Sequence, residues 1–236
     1  MNKDRVLLLI PAYNEAENIE RVVTEILEFR KNLDESSPTV DYVIINDGSA
    51  DDTARICTEN GYNFVDLAVN LGLAGAFATG MEYALRHGYD YAVQYDGDGQ
   101  HDVHYLPDMY KMAKEQNLNI CIGSRFVTQK KPGGMRMFGS NIISACIKLT
   151  TGVRVKDPTS GMRLYDREMI ESFGKRMNMG PEPDTVAYLL RKGARIGECQ
   201  VTMRERVAGE SYLNVFSSAK YMFNICSSIL IAQWFR

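Results

Sequence analysis

The stretch Val6-Leu-Leu-Leu-Ile10 is a short, uninterrupted apolar run, and a polar turn, Pro11-Ala-Tyr-Asn14, follows it directly. An apolar run of this length predicts a strand that is buried on both faces of a sheet. Apolar residues then recur at helical spacing over residues 16–30, which predicts a helix after the turn. The chain therefore begins with a β-α unit.

The same alternation continues through the first half of the chain. Further strands are predicted over 42–45, 64–69 and 91–95, and helices over 52–59 and 74–86. Strands that alternate with helices through short connections predict an α/β fold with a single Rossmann-like, mostly parallel sheet flanked by helices. Ligands of such sheets bind at the carboxyl ends of the strands. The turns after the first, second and fourth strands are therefore the expected location of a site.

The second half of the chain has a less regular pattern. Predicted helices cover 106–114, 141–149 and 185–191, predicted strands cover 120–124, 162–165 and 195–202, and a loop covers 128–140. No repeat or linker divides the chain. We expect one domain over residues 1–212, followed by a charge-poor, apolar C-terminal helix over residues 213–236.

The composition excludes several classes of protein. The chain has 236 residues, 45% hydrophobic and 24% charged, with a net charge of −3, which is typical of a globular protein without a nucleic-acid partner. Its five cysteines are scattered and form no CxxC pair, so we expect reduced thiols and no zinc site. The sequence shows no signal peptide or membrane-spanning stretch. We therefore expect a cytoplasmic location.

The segment Asp96-Gly-Asp-Gly-Gln100 follows the fourth predicted strand. Its two carboxylates and one amide are hard oxygen ligands, which suit Mg²⁺ or Mn²⁺ bridged to a diphosphate. The simpler alternative is a turn with exposed aspartates. The position at the carboxyl end of a buried strand favours a metal site with Asp96, Asp98 and Gln100 as ligands.

The charges are segregated around this segment. No Lys or Arg occurs between Arg86 and Lys111, and no Asp or Glu occurs between Glu115 and Asp157. An acidic segment followed by a basic one fits chemistry on phosphates. Arg125, which directly follows a predicted strand, is the best candidate among these cations.

Seven short motifs recur in a fixed order along residues 5–212. They are Pro11-Ala-Tyr-Asn-Glu15, Asn46-Asp-Gly-Ser49, Asn70-Leu-Gly72, Asp96-Gly-Asp-Gly-Gln100, Gly123-Ser-Arg125, Asp157-Pro-Thr-Ser-Gly-Met-Arg163 and Arg206-Val-Ala-Gly-Glu-Ser211. Through them the chain resembles family 2 glycosyltransferases, most closely the dolichol-phosphate mannose synthase-like and polyprenyl-phosphate glycosyltransferase branch. The chain departs from that branch at Tyr212, where many relatives have a lysine.

The resemblance implies a GT-A fold and a metal-dependent, inverting transfer of a sugar from a UDP- or GDP-sugar to a polyprenyl phosphate. It implies that the nucleotide sugar is bound by Pro11, Tyr13, Glu15, Asp47, Asn70, Gly72, Asp96, Gly97 and Asp98. It implies catalytic roles for Asp98, Arg125, Arg136, Arg206, Asp157 and Asp184. A hydroxyl acceptor would need Asp157 or Asp184 as a general base. A phosphate acceptor is already an anion, and Asp157 would then orient Arg136 or Arg163.

Three alternatives to this function stay open. The acceptor can be a saccharide hydroxyl in cell-surface polysaccharide assembly. A sugar-1-phosphate nucleotidyltransferase would need a glycine-rich, basic first turn, which Pro11-Ala-Tyr-Asn-Glu15 does not supply. A non-catalytic protein would bind the nucleotide sugar without turnover.

The C-terminal segment, 213–236, allows two interpretations. It predicts a helix that lies in the membrane interface, which would place the protein at the inner face of the cell membrane. Alternatively, the helix docks on the core or on a second copy of the chain in a homo-oligomer.

Overall fold

The computed structural model describes residues 3–131, 134–175, 179–204 and 215–231, and only the backbone of Met135, Arg136 and residues 215–219. Within these residues, seven strands form one sheet in the order β3-β2-β1-β4-β6-β5-β7. The strands are β1 (Arg5–Ala12), β2 (Thr39–Asn46), β3 (Phe64–Asp66), β4 (Tyr91–Gln94), β5 (Ile120–Ser124), β6 (Arg163–Asp166) and β7 (Ile196–Gln200). The helices are α1 (Ile19–Lys31), α2 (Thr53–Glu59), α3 (Gly72–Arg86), α4 (Leu106–Glu115), α5 (Met135–Thr151), α6 (Arg167–Lys175), α7 (Pro183–Arg191) and α8 (Val215–Leu230).

The sheet is mostly parallel, which confirms the predicted fold class. Strands β1 to β4 pair in parallel, as do β5 and β7. The exception is β6, which runs antiparallel between β4 and β5. Its first residue, Arg163, pairs with Gln94 at the end of β4 and with Ile122 in β5. The segment before β6 therefore reaches the same edge of the sheet as the turn after β4.

The core has one layer on each face of the sheet. Along β1, Leu8 faces the layer formed with α1 and α4, whereas Leu9 faces the layer formed with α3, α6 and α7. Both leucines are fully buried, as the uninterrupted apolar run predicts. The five cysteines are free thiols, and burial raises the pKa of Cys121 to about 12. The Cys121 thiol is therefore a poor nucleophile at neutral pH.

Two helices differ from the sequence prediction. Helix α5 begins at Met135, within the stretch predicted as a loop. Gly139 of α5 lies against Met222 of α8, and a Cβ at position 139 would stand 2.8 Å from Met222 Sδ. The glycine therefore leaves room for the Met222 side chain. Helix α6 was not predicted at all. A signal for it exists at its start, where Asp166 Oδ1 accepts a hydrogen bond from the backbone N–H of Met169.

Helix α8 packs against α5 and α7. Ile225 and Ile229 point into the core and are 7% and 0% exposed, whereas Phe223 and Ile231 are 72% and 63% exposed. In the described part of the chain, no helix combines the length and apolarity needed to cross a bilayer. One face of α8 is therefore docked on the core, and apolar side chains remain on the other.

Candidate active site

Side-chain hydrogen bonds tie the turns after β1 and β2 to each other. The backbone N–H of Asn14 donates to Ser49 Oγ at 3.0 Å, and that of Glu15 donates to Thr53 Oγ1 at 3.0 Å. Asn14 has a φ of 56°, in the left-handed region that asparagine tolerates better than most residues. Of the predicted nucleotide-binding residues, Tyr13 and Glu15 thus lie on a turn that its neighbour fixes. Pro11, predicted as the start of this turn, instead pairs with Ile45 near the end of β1.

Asp47 holds the connection between β3 and α3. Its carboxylate is buried, and Oδ1 accepts from the backbone N–H of Leu71 at 2.7 Å. Asn70 Oδ1 in turn accepts from the backbone N–H of Gly72 at 3.0 Å. The structure thus brings the predicted donor-site residues Asp47, Asn70 and Gly72 together. One oxygen of Asp47 is already used within the protein.

The turn at residues 96–100, which we call the acidic turn, packs directly on the end of β1. A Cβ on Gly97 would stand 3.1 Å from the carbonyl oxygen of Pro11, so a larger residue there would require the turn and the end of β1 to move apart slightly. Asp98 is 7% exposed, and its Oδ1 accepts from the backbone N–H of Gln100 at 3.0 Å. The acidic turn and the β1 turn therefore form neighbouring walls of one site.

His101 holds the acidic turn through hydrogen bonds of its imidazole and its backbone carbonyl. The backbone N–H of Asp96 donates to His101 Nδ1 at 3.0 Å, and Tyr95 Oη donates to the carbonyl oxygen of His101 at 2.9 Å. The other ring nitrogen, Nε2, lies 3.5 Å from Asp96 Oδ2. The imidazole thus holds the backbone of the turn at Asp96.

The acidic turn offers few protein ligands to a metal ion. The only group of three or more His, Cys, Asp or Glu whose ligand atoms lie within 4.8 Å of one another, among the described residues, is Glu25, Asp102 and His104. Asp96 and Asp98 therefore present at most two carboxylates together with the Gln100 amide. Mg²⁺ at substrate phosphates is commonly held by one or two carboxylates plus phosphate and water oxygens. The donor set of the turn fits such an ion.

Asp157 lies on the other side of the site, bound to Arg125. Its carboxylate is fully buried, and its two oxygens accept from Arg125 Nε at 2.7 Å and Nη2 at 2.8 Å. The backbone N–H of Asp157 donates to Glu198 Oε1 at 2.8 Å. Asp157 thus orients Arg125 and not Arg163, one of the two partners considered from the sequence. The side chain of the other, Arg136, lies outside the described atoms.

Arg163 has a structural role. Its buried guanidinium donates to the carbonyl oxygens of Pro158, Ser160 and Pro181. These bonds satisfy a buried charge with three backbone acceptors. They join the segment before β6 to the segment before α7.

Of the remaining predicted catalytic residues, Asp184 lies at the start of α7, in contact with α8. Asp184 is 9% exposed, and its Oδ2 accepts from Ser228 Oγ of α8 at 2.6 Å. Arg136 lies in the first turn of α5, with its side chain outside the described atoms. Arg206 lies outside the described residues.

Lys131 was not singled out from the sequence, although it belongs to the acid-free stretch. Its Nζ lies 5.4 Å from the centre of the Phe126 ring, and the Arg125 guanidinium carbon lies 5.1 Å from the same centre. Lys131 Nζ also donates to Ser140 Oγ at 2.9 Å. Burial lowers the pKa of Lys131. Two cations therefore flank one aromatic ring beside Asp157.

Comparison with known proteins gives consistent matches. The family model "Glycosyl transferase family 2" matches residues 8–174. The undecaprenyl-phosphate mannosyltransferase of Micrococcus luteus is 29% identical over 250 residues, covering 98% of this chain and 96% of that protein. The polyprenol monophosphomannose synthase of Mycolicibacterium smegmatis is 26% identical, covering 98% of this chain and 86% of that protein.

A solved structure shows the same fold. It is glucosyl-3-phosphoglycerate synthase from Mycobacterium tuberculosis in complex with Mn²⁺, UDP and phosphoglyceric acid. It matches with a TM-score of 0.69 at 17% identity, covering 97% of this chain and 79% of that chain. The sheet and its flanking helices thus form a GT-A fold, and since the family model spans most of the chain, the protein belongs to glycosyl transferase family 2.

Proposed function

We propose that the protein is a metal-dependent, inverting glycosyltransferase that moves a sugar from a UDP- or GDP-sugar to a polyprenyl phosphate. The similarity to the Micrococcus luteus enzyme, which covers 98% of this chain and 96% of that protein, carries the proposal. Its name gives undecaprenyl phosphate as the acceptor. The order of the seven motifs supports the same branch of the family.

The donor is bound at the acidic turn and the turns after β1 and β2. Asp96, Asp98 and Gln100 would hold Mg²⁺ or Mn²⁺ in this site. When bound, the ion offsets the negative charge that the leaving diphosphate gains. Tyr13, 36% exposed, offers its ring face to the base. Pro11, Glu15 and the Asp47-anchored loop shape the nucleoside site.

The acceptor phosphate needs positioning more than deprotonation. One of its oxygens forms the bond to the anomeric carbon while the bond from that carbon to the diphosphate breaks, which inverts the configuration. The oxygens of Asp157 bind Arg125, and Asp184 accepts from Ser228. Because both predicted bases are engaged in this way, the site favours an acceptor that arrives as an anion. Arg125, Arg136 and Arg206 supply positive charge for it.

The exposed faces of α5 and α8 contact the surface of the membrane that holds the lipid acceptor. Phe138 is 62% and Phe223 is 72% exposed. They lie beside Gly139 and Met222, which are in contact between the two helices. Lys220 is exposed near Phe223. Exposed aromatic rings next to a cation fit the interface of an anionic bilayer.

The acceptor class is tested with vesicles of phosphatidylethanolamine and phosphatidylglycerol that contain undecaprenyl phosphate. Radiolabelled UDP- and GDP-sugars are supplied with Mn²⁺, and lipid and aqueous products are separated. We expect label in the lipid fraction, in a product whose anomeric configuration is inverted relative to the donor. Label found only in soluble saccharides would show that the acceptor is a saccharide hydroxyl and not a polyprenyl phosphate. Nucleotide-sugar binding without any product would indicate a non-catalytic protein.

The membrane contact is tested by placing a charge on the exposed rings. We expect the Phe138→Asp/Phe223→Asp variant to lose most of its co-sedimentation with phosphatidylglycerol vesicles, because both rings would carry carboxylates into an anionic interface. Thr58→Asp is the control, since Thr58 is exposed on α2 at the opposite face of the sheet. Unchanged binding of the double variant would refute the contact. If the wild type is a dimer and the double variant is a monomer, the exposed faces of α5 and α8 bind a second copy of the chain instead.

A further inference from the structure

Arg204 connects helix α1 with the exit of the acidic turn. Its Nη1 donates to Glu25 Oε2 at 2.7 Å, and its Nη2 lies 2.9 Å from Asp102 Oδ2. Its backbone N–H donates to the carbonyl oxygen of Gln100 at 2.9 Å. We call these four residues the Arg204 clamp. They join three separate parts of the chain at the residue that ends the acidic turn.

The clamp depends on the shape of the arginine side chain. The side chains of Glu25 and Asp102 are 18% and 24% exposed, so water and salt screen their ion pairs less than those of fully exposed groups. A guanidinium can place two nitrogens on two carboxylates at once, whereas a lysine presents a single ammonium. Arg204 is therefore matched to bridging two elements.

The same carboxylates do not form a second metal site. Glu25, Asp102 and His104 lie close enough together to hold an ion. However, the Arg204 guanidinium already occupies the space between Glu25 Oε2 and Asp102 Oδ2. One of the two negative charges of this cluster is thus balanced by a cation of the protein itself.

Helix α1 also contacts the acidic turn through Arg21, which lies one helical turn before Glu25. Gly99 has a φ of +73°, and a Cβ there would clash with the Arg21 guanidinium. Arg21 and Glu25 are four residues apart and therefore share a face of α1. Gln100 Nε2 lies 3.4 Å from the carbonyl oxygen of Arg204. This contact leaves the amide oxygen of Gln100 as the atom that can ligate a metal ion.

We propose that Arg204 is a positioning residue of the metal site, which fixes Gln100 relative to α1 and thereby sets the affinity for the divalent ion. This inference rests on the proposed function, because it assigns the ion to the acidic turn. Groups that orient metal ligands typically contribute about 10–100-fold in metal affinity or activity. Removing the Arg204 side chain should therefore weaken metal binding in a protein that still folds.

The test measures Mn²⁺ binding directly, by electron paramagnetic resonance titration in the presence of UDP and, separately, GDP. We expect Arg204→Met to raise the dissociation constant of Mn²⁺ about 10-fold, and Glu25→Gln to raise it in the same direction by a smaller factor. Arg204→Lys should fall between Arg204→Met and the wild type. Urea denaturation without metal shows whether each variant is folded.

Arg55→Ala is the matched control, because Arg55 also bridges two carboxylates, Asp52 and Glu59, but on the exposed surface of α2. We expect its Mn²⁺ affinity to equal that of the wild type. If folded Arg204→Met binds Mn²⁺ within twofold of the wild type, the positioning role is wrong. If the wild type itself binds no Mn²⁺ with either nucleotide, the metal site of the proposed function is wrong as well.

Discussion

Replacing Asp98 by asparagine is expected to reduce sugar transfer by at least about 100-fold, the scale of losing one preorganised charge-stabilising group, and to abolish Mn²⁺-dependent nucleotide binding. Asp98 is 7% exposed and is the second carboxylate of the acidic turn. Asparagine keeps an oxygen for the backbone N–H of Gln100 but removes the negative charge that attracts the ion. Transfer is measured as nucleotide release, and nucleotide binding as the thermal shift with and without Mn²⁺.

Asp108→Asn is the control for this variant. Asp108 belongs to the same acidic segment but is exposed in the first turn of α4. Its replacement changes the net charge equally without touching the acidic turn. We expect it to retain wild-type transfer. Wild-type metal dependence in Asp98→Asn would show that the ion does not bind at this turn. Equal losses of transfer in both variants would show that the change in net charge, and not the loss of a metal ligand, causes the effect.

The local sequence predicts the part of the site formed by the first four strands. The run over residues 6–10 and the helix after it are typical of a parallel α/β unit, and the structure has them as β1 and α1. Because each parallel strand ends at the same edge, the acidic turn and the turns after β1 and β2 are brought together by the topology alone. The hydrophobic periodicity of the sequence is therefore sufficient to predict which turns form this half of the site.

The other half depends on contacts between distant residues, which periodicity does not report. Nothing in the four residues of β6 indicates that it runs antiparallel, yet this direction brings Asp157 to the site edge. Asp157 and Arg125 are 32 residues apart, and the sequence offers several arginines as partners. Helix α8, whose Ser228 binds Asp184, likewise comes from the far end of the chain. Such pairings are decided by tertiary packing.

Replacing Arg125 by alanine is expected to lower the free energy of unfolding by about 3–5 kcal/mol, the cost of leaving a buried charge without its partner. Asp157 is 0% exposed, and two of its hydrogen bonds come from the Arg125 guanidinium. In the variant, the backbone N–H at position 125 remains a donor, but the countercharge is gone. Urea denaturation at neutral pH, followed by circular dichroism, measures the loss.

The two partners of this ion pair should not be equivalent. The Arg125 side chain is 27% exposed, so in Asp157→Asn its guanidinium can turn towards water, and we expect that variant to lose less stability than Arg125→Ala. For the same reason, adding Asp157→Asn to Arg125→Ala should restore part of the lost stability, since it removes the unpaired buried charge. Arg86→Ala provides the exposed comparison: its ion pair with Glu82 is at the surface and should contribute only about 0–1 kcal/mol. A double variant as unstable as the sum of the two single losses would contradict this explanation, because it would mean that the two side chains stabilise the protein independently.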